Sequence, residues 1–296
     1  FGSYATSLFP GAATYSYPID VPPGTNGLLP SLTLLYNSQN AKGRPGILGT
    51  GWELTQDYII RNTNATLNTS DDFFTLVLSG QSNKLFVNGT ELTTEVQSYA
   101  RIQNLSGANN ELGTFWLVTT KSGVQYRFGY NQDSERISST DANQVIKWSL
   151  DQVNDTFGNT ITYAYRESPF AEDVGAVYLD AIRYNNDRLR VVRFAYENVS
   201  RPDRRRVVYE GSLLEESRRL SSIEVVADSL LIRRYQFGYV SLSDSLSALA
   251  TVRQYGADNS SLLHTVAFDY YLQEAGFASH NDTWIPPSIF ASNESR

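Results

Sequence analysis

The stretch LDQVNDTFGNTITYAY, residues 150–165, decides the fold. It holds Leu150-x-x-Val153, a polar gap containing Asp155 and Gly158, and then an aromatic-x-Tyr triplet, Tyr163-Ala164-Tyr165. Side chains two apart lie on one face of a strand, so the two rings point the same way. The arrangement returns as Leu179/Ile182 with Phe194/Tyr196, as Leu220/Ile223 with Phe237/Tyr239, and as Leu249/Val252 with Phe268/Tyr270. Copies about 30 to 40 residues apart predict a series of stacked β-hairpins, none able to bury its apolar face alone.

The rest of the chain agrees with an all-β protein. With 19 Tyr and 14 Phe and no long helical periodicity, strands are expected throughout. Ala13, Tyr15, Tyr17, Ile19 and Val21 alternate, and after a Pro/Gly turn Leu32, Leu34 and Tyr36 return. Further strands are expected at 73–78, 84–87, 98–103, 115–119 and 124–130. The spaced glycines of GRPGILGTGW (43–52) let the backbone pass close to another strand. No Lys-Ser/Thr pair or helix pattern follows them, so they are not read as a phosphate loop. Residues 1–11 read as an arm without a pattern of its own, suited to strand addition to a neighbour. The tail after Gln273 reads as an extended cover or linker.

Composition excludes several classes. A net charge of −7 argues against general nucleic-acid binding. No apolar run reaches the ~18 residues of a membrane helix. Without Cys there are no disulfides, thiolate metal sites or Cys nucleophile, and loss of both Cys and Met suits an extracellular setting. A chain that opens at Phe1 is expected to be processed or to be part of something longer. Nine N-x-[ST] sequons stand at Asn64, Asn68, Asn88, Asn104, Asn154, Asn198, Asn259, Asn281 and Asn293. Chance would give about four, so N-linked glycans on a secreted protein are expected.

The residues also carry a family resemblance. YSYPIDVPPGTNGLLPSLTLLY (15–36) and GILGTGWEL (46–54) resemble the opening of the SpvB-type domain. That domain begins the Salmonella virulence-plasmid B protein and the B components of insecticidal Tc toxins. The likeness continues through FWLVTTKSGVQYRFG (115–129), KWSLDQVNDTFGNTITYAY (147–165), YLDAIRY (178–184), FAYENVSRPD (194–203) and RRLSSIEV (218–225). It implies a non-catalytic β module related to RHS/YD-repeat shells, which in the Tc toxins help to enclose a toxic segment. The family's enzymatic activities sit in separate C-terminal domains, so no catalytic residue carries over. The sequons depart from the bacterial toxins, which are not glycosylated.

Candidate chemistry is sparse. His264 and His280 lie in different elements without an acid-rich motif, which disfavours a triad or zinc site. Asp71-Asp72, Glu172-Asp173 and Glu215-Glu216 read as solvated turns, because neighbours on a strand face opposite ways. Residues 131–135 and 185–187 lack the Gly and terminal Glu of an EF-hand calcium loop. Twelve of 20 Arg fall between Arg183 and Arg234, and are expected on exposed strand faces, cross-paired with acids. The repeat aromatics are expected to be core rather than a sugar platform.

The sequence therefore predicts an N-terminal β subdomain with an extended arm (1–145). A curved antiparallel sheet of four hairpin repeats plus a tail (146–296) continues it. The expected function is structural, with no catalytic, metal or cofactor residue. The expected partners are other copies or the remainder of a larger shell, and neither nucleic acid nor a membrane span is expected. A filament or surface-layer subunit and a glycan-binding adhesin are the alternatives.

Overall fold

The computed structural model describes residues 2–7, 11–66, 68–88, 91–96, 98–187, 189–242 and 245–270. Among them there are twenty-two strands, three short 3-10 turns and no α-helix. Strands β1 (Ser3–Ser7), β2 (Ala12–Pro18), β3 (Thr33–Asn37) and β4 (Trp52–Leu54) form a small antiparallel sheet in chain order. Residues 3–7 of the arm thus fold back on their own chain: Tyr4 pairs with Tyr15 and Thr6 with Ala13. This corrects the expectation of a free strand for donation. The tail after Gln273 lies outside the described residues.

A meander follows: β5 (Tyr58–Asn62), β6 (Phe73–Leu78), β7 (Gln81–Asn88), β8 (Glu91–Thr94), β9 (Arg101–Ser106), β10 (Thr114–Thr119) and β11 (Gln125–Phe128). After the short β12 (Glu135–Ile137) comes β13 (Val145–Asn154). Residues 147–149 of β13 pair with β5, and residues 150–154 pair with β11. This closes an eight-stranded antiparallel barrel, which removes its sheet edges. Phe74, Trp116 and Trp148 meet inside it, with ring centres 4.9 to 5.8 Å apart.

From the far end of β13 the same sheet runs on through β14 (Thr160–Glu167), β15 (Val177–Tyr184) and β16 (Arg190–Tyr196). A separate hairpin, β17 (Arg205–Tyr209) and β18 (Ser212–Glu216), interrupts the chain. The sheet then resumes with β19 (Leu220–Ala227), β20 (Leu230–Ser241), β21 (Ser247–Tyr255) and β22 (Leu262–Ala267). The four motif copies fall on the hairpins β13–β14, β15–β16, β19–β20 and β21–β22, with Phe268 and Tyr270 of the last copy just past the end of β22.

The spacing L-x-x-[IV] has a physical cause. In a regular strand, positions three apart face opposite sides, yet Leu179 and Ile182 are both buried. The register explains this: Tyr165 pairs with Leu179 but Ala164 with Ala181, so Asp180 is an extra, unpaired residue. The same slip leaves out Asp151 between β11 and β13, Ser221 between β16 and β19, and Ala250 between β20 and β21. Each motif is therefore a β-bulge that returns two apolar residues to one face. The tyrosine of each hairpin locks this irregular point. Tyr165, Tyr196 and Tyr270 donate their hydroxyls to the carbonyls of Leu150, Leu179 and Leu249 at 2.7, 2.8 and 2.6 Å, and Tyr239 donates to Leu220. In the first three hairpins, the tyrosine or its strand neighbour also pairs across the bulge with the leucine of the next hairpin. Phe128, opposite Leu150, occupies the equivalent place on β11 without a hydroxyl.

Phe194 and Phe237 are buried, whereas Tyr163 and Phe268 are partly buried against the core. Two predictions follow from this packing. Tyr196→Phe leaves the buried Leu179 carbonyl without its donor and should cost about 1–3 kcal/mol in denaturant unfolding. Phe194→Ala should cost about 3–5 kcal/mol by the same measurement.

Candidate functional site: the covered face of the hairpin sheet

The small N-terminal sheet lies over one face of the hairpin sheet, and the seam between them is aromatic. Trp52 meets Phe268 with ring centres 4.7 Å apart, Tyr15 meets Phe268 at 5.4 Å, and Tyr17 meets Tyr235 at 6.2 Å. Several polar ring ends at the seam are satisfied, as buried Tyr and Trp require. Trp52 Nε1 donates to the Tyr270 hydroxyl at 2.7 Å, and Tyr184 donates to the Pro22 carbonyl at 2.7 Å. The Tyr235 hydroxyl accepts from the Asp20 backbone at 3.0 Å.

The glycine-rich loop is the tightest part of the seam. The Leu220 N–H donates to the Ile47 carbonyl at 2.8 Å, and the Thr50 N–H to the Ser247 carbonyl at 2.7 Å. Gly49 has φ +87°, and a Cβ there would stand 2.7 Å from the Ser247 carbonyl oxygen. Only glycine meets both demands. Beneath it the Arg201 side chain, 0% exposed, grips Asp203 through Nε at 2.9 Å and Nη2 at 3.1 Å. Its Nη1 donates to the Gly46 carbonyl at 2.7 Å, and the Ser247 N–H donates to Asp203 at 2.6 Å. Arg201-Pro202-Asp203 thus ties the loop to the start of β21. Burial pushes the Asp203 carboxyl up, but hydrogen bonds from Arg201 and Ser247 outweigh it and hold it below its ordinary value.

The sequence-predicted residues fall as follows. Asn64, Asn68, Asn104, Asn198 and Asn259 are exposed, and Asn154 is half-buried at the end of β13. Asn88 ends β7, and Asn281 and Asn293 lie outside the described residues, as does His280. His264 sits in β22. Asp71 is exposed at a bend and Glu172 lies in a turn, as expected for solvated turns, but the other acids of the pairs are engaged. Asp72 bonds Arg61 at 2.6 Å, and Asp173 accepts from the Ser217 hydroxyl at 2.6 Å and from Tyr178. Glu215 and Glu216 lie in β18 opposite Arg206 and Arg205, the expected cross-strand pairing. Arg201 and Arg218 are buried, against the expectation of exposed arginines. Residues 131–135 form a capped 3-10 turn whose Asp133 accepts from the Tyr165 backbone at 2.8 Å. Asp187, in the 185–187 turn, accepts from the Leu189 backbone. No group of three His, Asp or Glu among the described residues is placed to hold a metal ion. No helix of the described residues is long and apolar enough to cross a membrane.

One arrangement escaped the sequence. Glu111, Glu135 and Glu167 come from three separate elements to line a cavity of about 150 Å³. Burial raises the pKa of Glu135, and Glu167 is pushed up to about 7 by desolvation and by Glu111, Glu135 and Asp133. Glu167 can therefore exchange a proton near neutral pH. Its members are 24 and 32 residues apart, so no spacing pattern signals them.

Residues 8–210 match the family model described as Salmonella virulence plasmid 65kDa B protein. The chain belongs to this SpvB family. Among curated proteins, no sequence matches it. The N-terminal domain of effector protein SpvB from Salmonella typhimurium strain LT2 shares its fold with a TM-score of 0.64 at 18% identity, over 81% of this chain and 98% of that domain. TcdB2-TccC3 gives a TM-score of 0.72 at 18% identity, over 90% of this chain and 16% of the other. The Photorhabdus luminescens Tc holotoxin pore gives 0.69 at 18%, again over 90% and 16%. This SpvB-family chain thus spans nearly all of the SpvB N-terminal domain and about a sixth of the Tc chains.

For this SpvB-family module the buried Arg201–Asp203 pair makes a testable statement. Asp203→Asn leaves the guanidinium without its counter-charge and should cost about 3–5 kcal/mol. The folded carboxyl has the lower pKa, so its contribution is complete above the unfolded value of about 4 and lost as pH falls through the folded value. Stability measured from pH 7 to pH 2 should therefore fall less steeply in Asp203→Asn than in the native protein.

Proposed function

We propose that this chain is a non-catalytic wall module of a larger secreted shell, a Tc-toxin-like scaffold built from stacked hairpin repeats. The observation that carries the reading is the fourth tyrosine. Tyr270 grips Leu249 as Tyr165 grips Leu150 and Tyr196 grips Leu179. In the earlier copies the next hairpin docks on that strand, whereas β22 pairs on one side only among the described residues. A repeat complete in itself, whose other edge is unpaired among the described residues, is suited to further strands, from the same longer protein or from a neighbouring copy.

The structural role also fits the use made of the polar groups. Arg201, Asp203, Asp173 and Arg218 are spent on joining strands and loops. In this reading the glutamate cavity performs no turnover. The five exposed sequons of the described residues are glycan acceptors on the outer surface.

Amide exchange tests the shell. β22 amides that face away from β21 should exchange slowly in the native particle and fast in the isolated chain, and images of that particle should show a closed wall. Fast exchange in both, with only monomers in the images, would sink the proposal. For the glycans, intact mass of native-source protein before and after glycosidase should differ by several N-linked chains, and an unchanged mass would remove the secretion argument.

A further inference from the structure

Two cations stand directly opposite each other where the barrel meets the β17–β18 hairpin. Arg136 of β12 pairs with Lys147 of β13, so their Cβ atoms are about 5 Å apart on one face. Like charges so placed repel, and burial strengthens the repulsion. Arg136 is only 8% exposed. Arg205 adds a third positive charge, and its bond at 2.9 Å engages Glu216, the acid that acts on Arg136 and Lys147. Lys147 makes no ion pair among the described residues and sits 4.3 Å over the Tyr58 ring. Tyr209 flanks Arg136 on the other side, at 5.9 Å from the ring centre.

The guanidinium geometry identifies what is missing. In Arg201 and Arg219 the edge formed by Nε and Nη2 clamps a carboxylate, Asp203 at 2.9 and 3.1 Å and Glu197 at 2.7 and 2.8 Å. In Arg136 the same two nitrogens are buried and meet no acceptor among the described residues, and neither does Nε of Arg205. Arg136 also borders the cavity of Glu111, Glu135 and Glu167, but the acid that acts on its guanidinium is Glu216. Three clustered cations and an unused two-toothed donor edge form a site for an oxyanion.

We infer that Arg136, Lys147 and Arg205 bind a small oxyanion, a phosphate or carboxylate group. The oxyanion takes the Arg136 edge and screens Arg136 from Lys147. This site is separate from the open edge of β22 and stands or falls independently of the shell. The Lys147 ammonium supports it: burial, then Arg136 and Arg205, press its pKa down to about 8, against the opposing pull of Glu216. A bound anion would raise that value, so binding should weaken as pH climbs through 8.

The test is a thermal-melt titration of the 296-residue chain. Inorganic phosphate and, separately, acetate are added at constant ionic strength made up with chloride. A saturable rise in melting temperature is expected at pH 7.5, and the tighter of the two probes identifies the source as a phosphate or a carboxylate. The apparent phosphate affinity should fall about tenfold by pH 9.5, although phosphate itself becomes more negative over that interval. Without oxyanion, Lys147→Met should melt higher than the native protein, because the opposed charges are gone, and should lose the saturable rise. Lys147→Arg should keep the rise and lose its pH dependence. No saturable rise with either probe, or an equal rise in Lys147→Met, overturns the site.

Discussion

The fold rests on an extra residue. In each L-x-x-[IV] motif one amino acid is left out of the ladder, and this returns leucine and its β-branched partner to the same buried face. An irregular point in a ladder is a weak point unless its backbone groups find partners. The tyrosine hydroxyl supplies the donor, from the strand that closes the same hairpin. Because the tyrosine-bearing strand also pairs with the next leucine, each motif helps to set the register of two hairpins at once. Register in this sheet is therefore fixed by side chains as well as by turns.

The N-terminal sheet completes the core that the hairpins leave open. Its aromatic residues bury the inner side of β20–β22, and the loop at 46–50 reaches across to β19 and β21. The demands there are steric at Gly49 and electrostatic at Arg201 and Asp203. Taking a guanidinium and a carboxylate out of water is costly, and the Gly46 carbonyl and the Ser247 backbone offset this by satisfying the remaining polar atoms. Such a pair gives a docked geometry more than it gives net stability. The Arg136–Lys147 pair is the opposite case, two like charges brought together with Nε and Nη2 of Arg136 unused among the described residues.

Much of the architecture was legible. The hairpins, the β2–β3 pair and the strand at 73–78 follow from alternation and turn residues. The bulges were present in the sequence as a spacing of three, but a period-two reading has no place for it. Barrel closure was not legible, because it depends on β13 pairing with β5 some 90 residues earlier. The arm was misread because Ser3-Tyr4-Ala5-Thr6-Ser7 has too little apolar content to show a buried face, and in the fold it pairs at an exposed edge. Acid pairs were judged by neighbours in sequence, whereas Asp173 and Asp72 are held by Ser217 and Arg61 from other parts of the chain. The glutamate cavity and the cation cluster arise the same way, from residues that only the topology brings together.

The shared strand β13 also orders events in time. A chain leaving the ribosome exposes β5 to β11 as an unfinished curl, with one edge waiting for residues 147–154. At about 5–20 residues per second the wait lasts several seconds. The N-terminal sheet waits longer, since Thr50 meets Ser247 only after the fourth hairpin has begun. Nascent chains of this kind are vulnerable to association through open edges until β13 arrives, so slowing translation between residues 62 and 145 should lower the yield of soluble protein more than slowing it after residue 270.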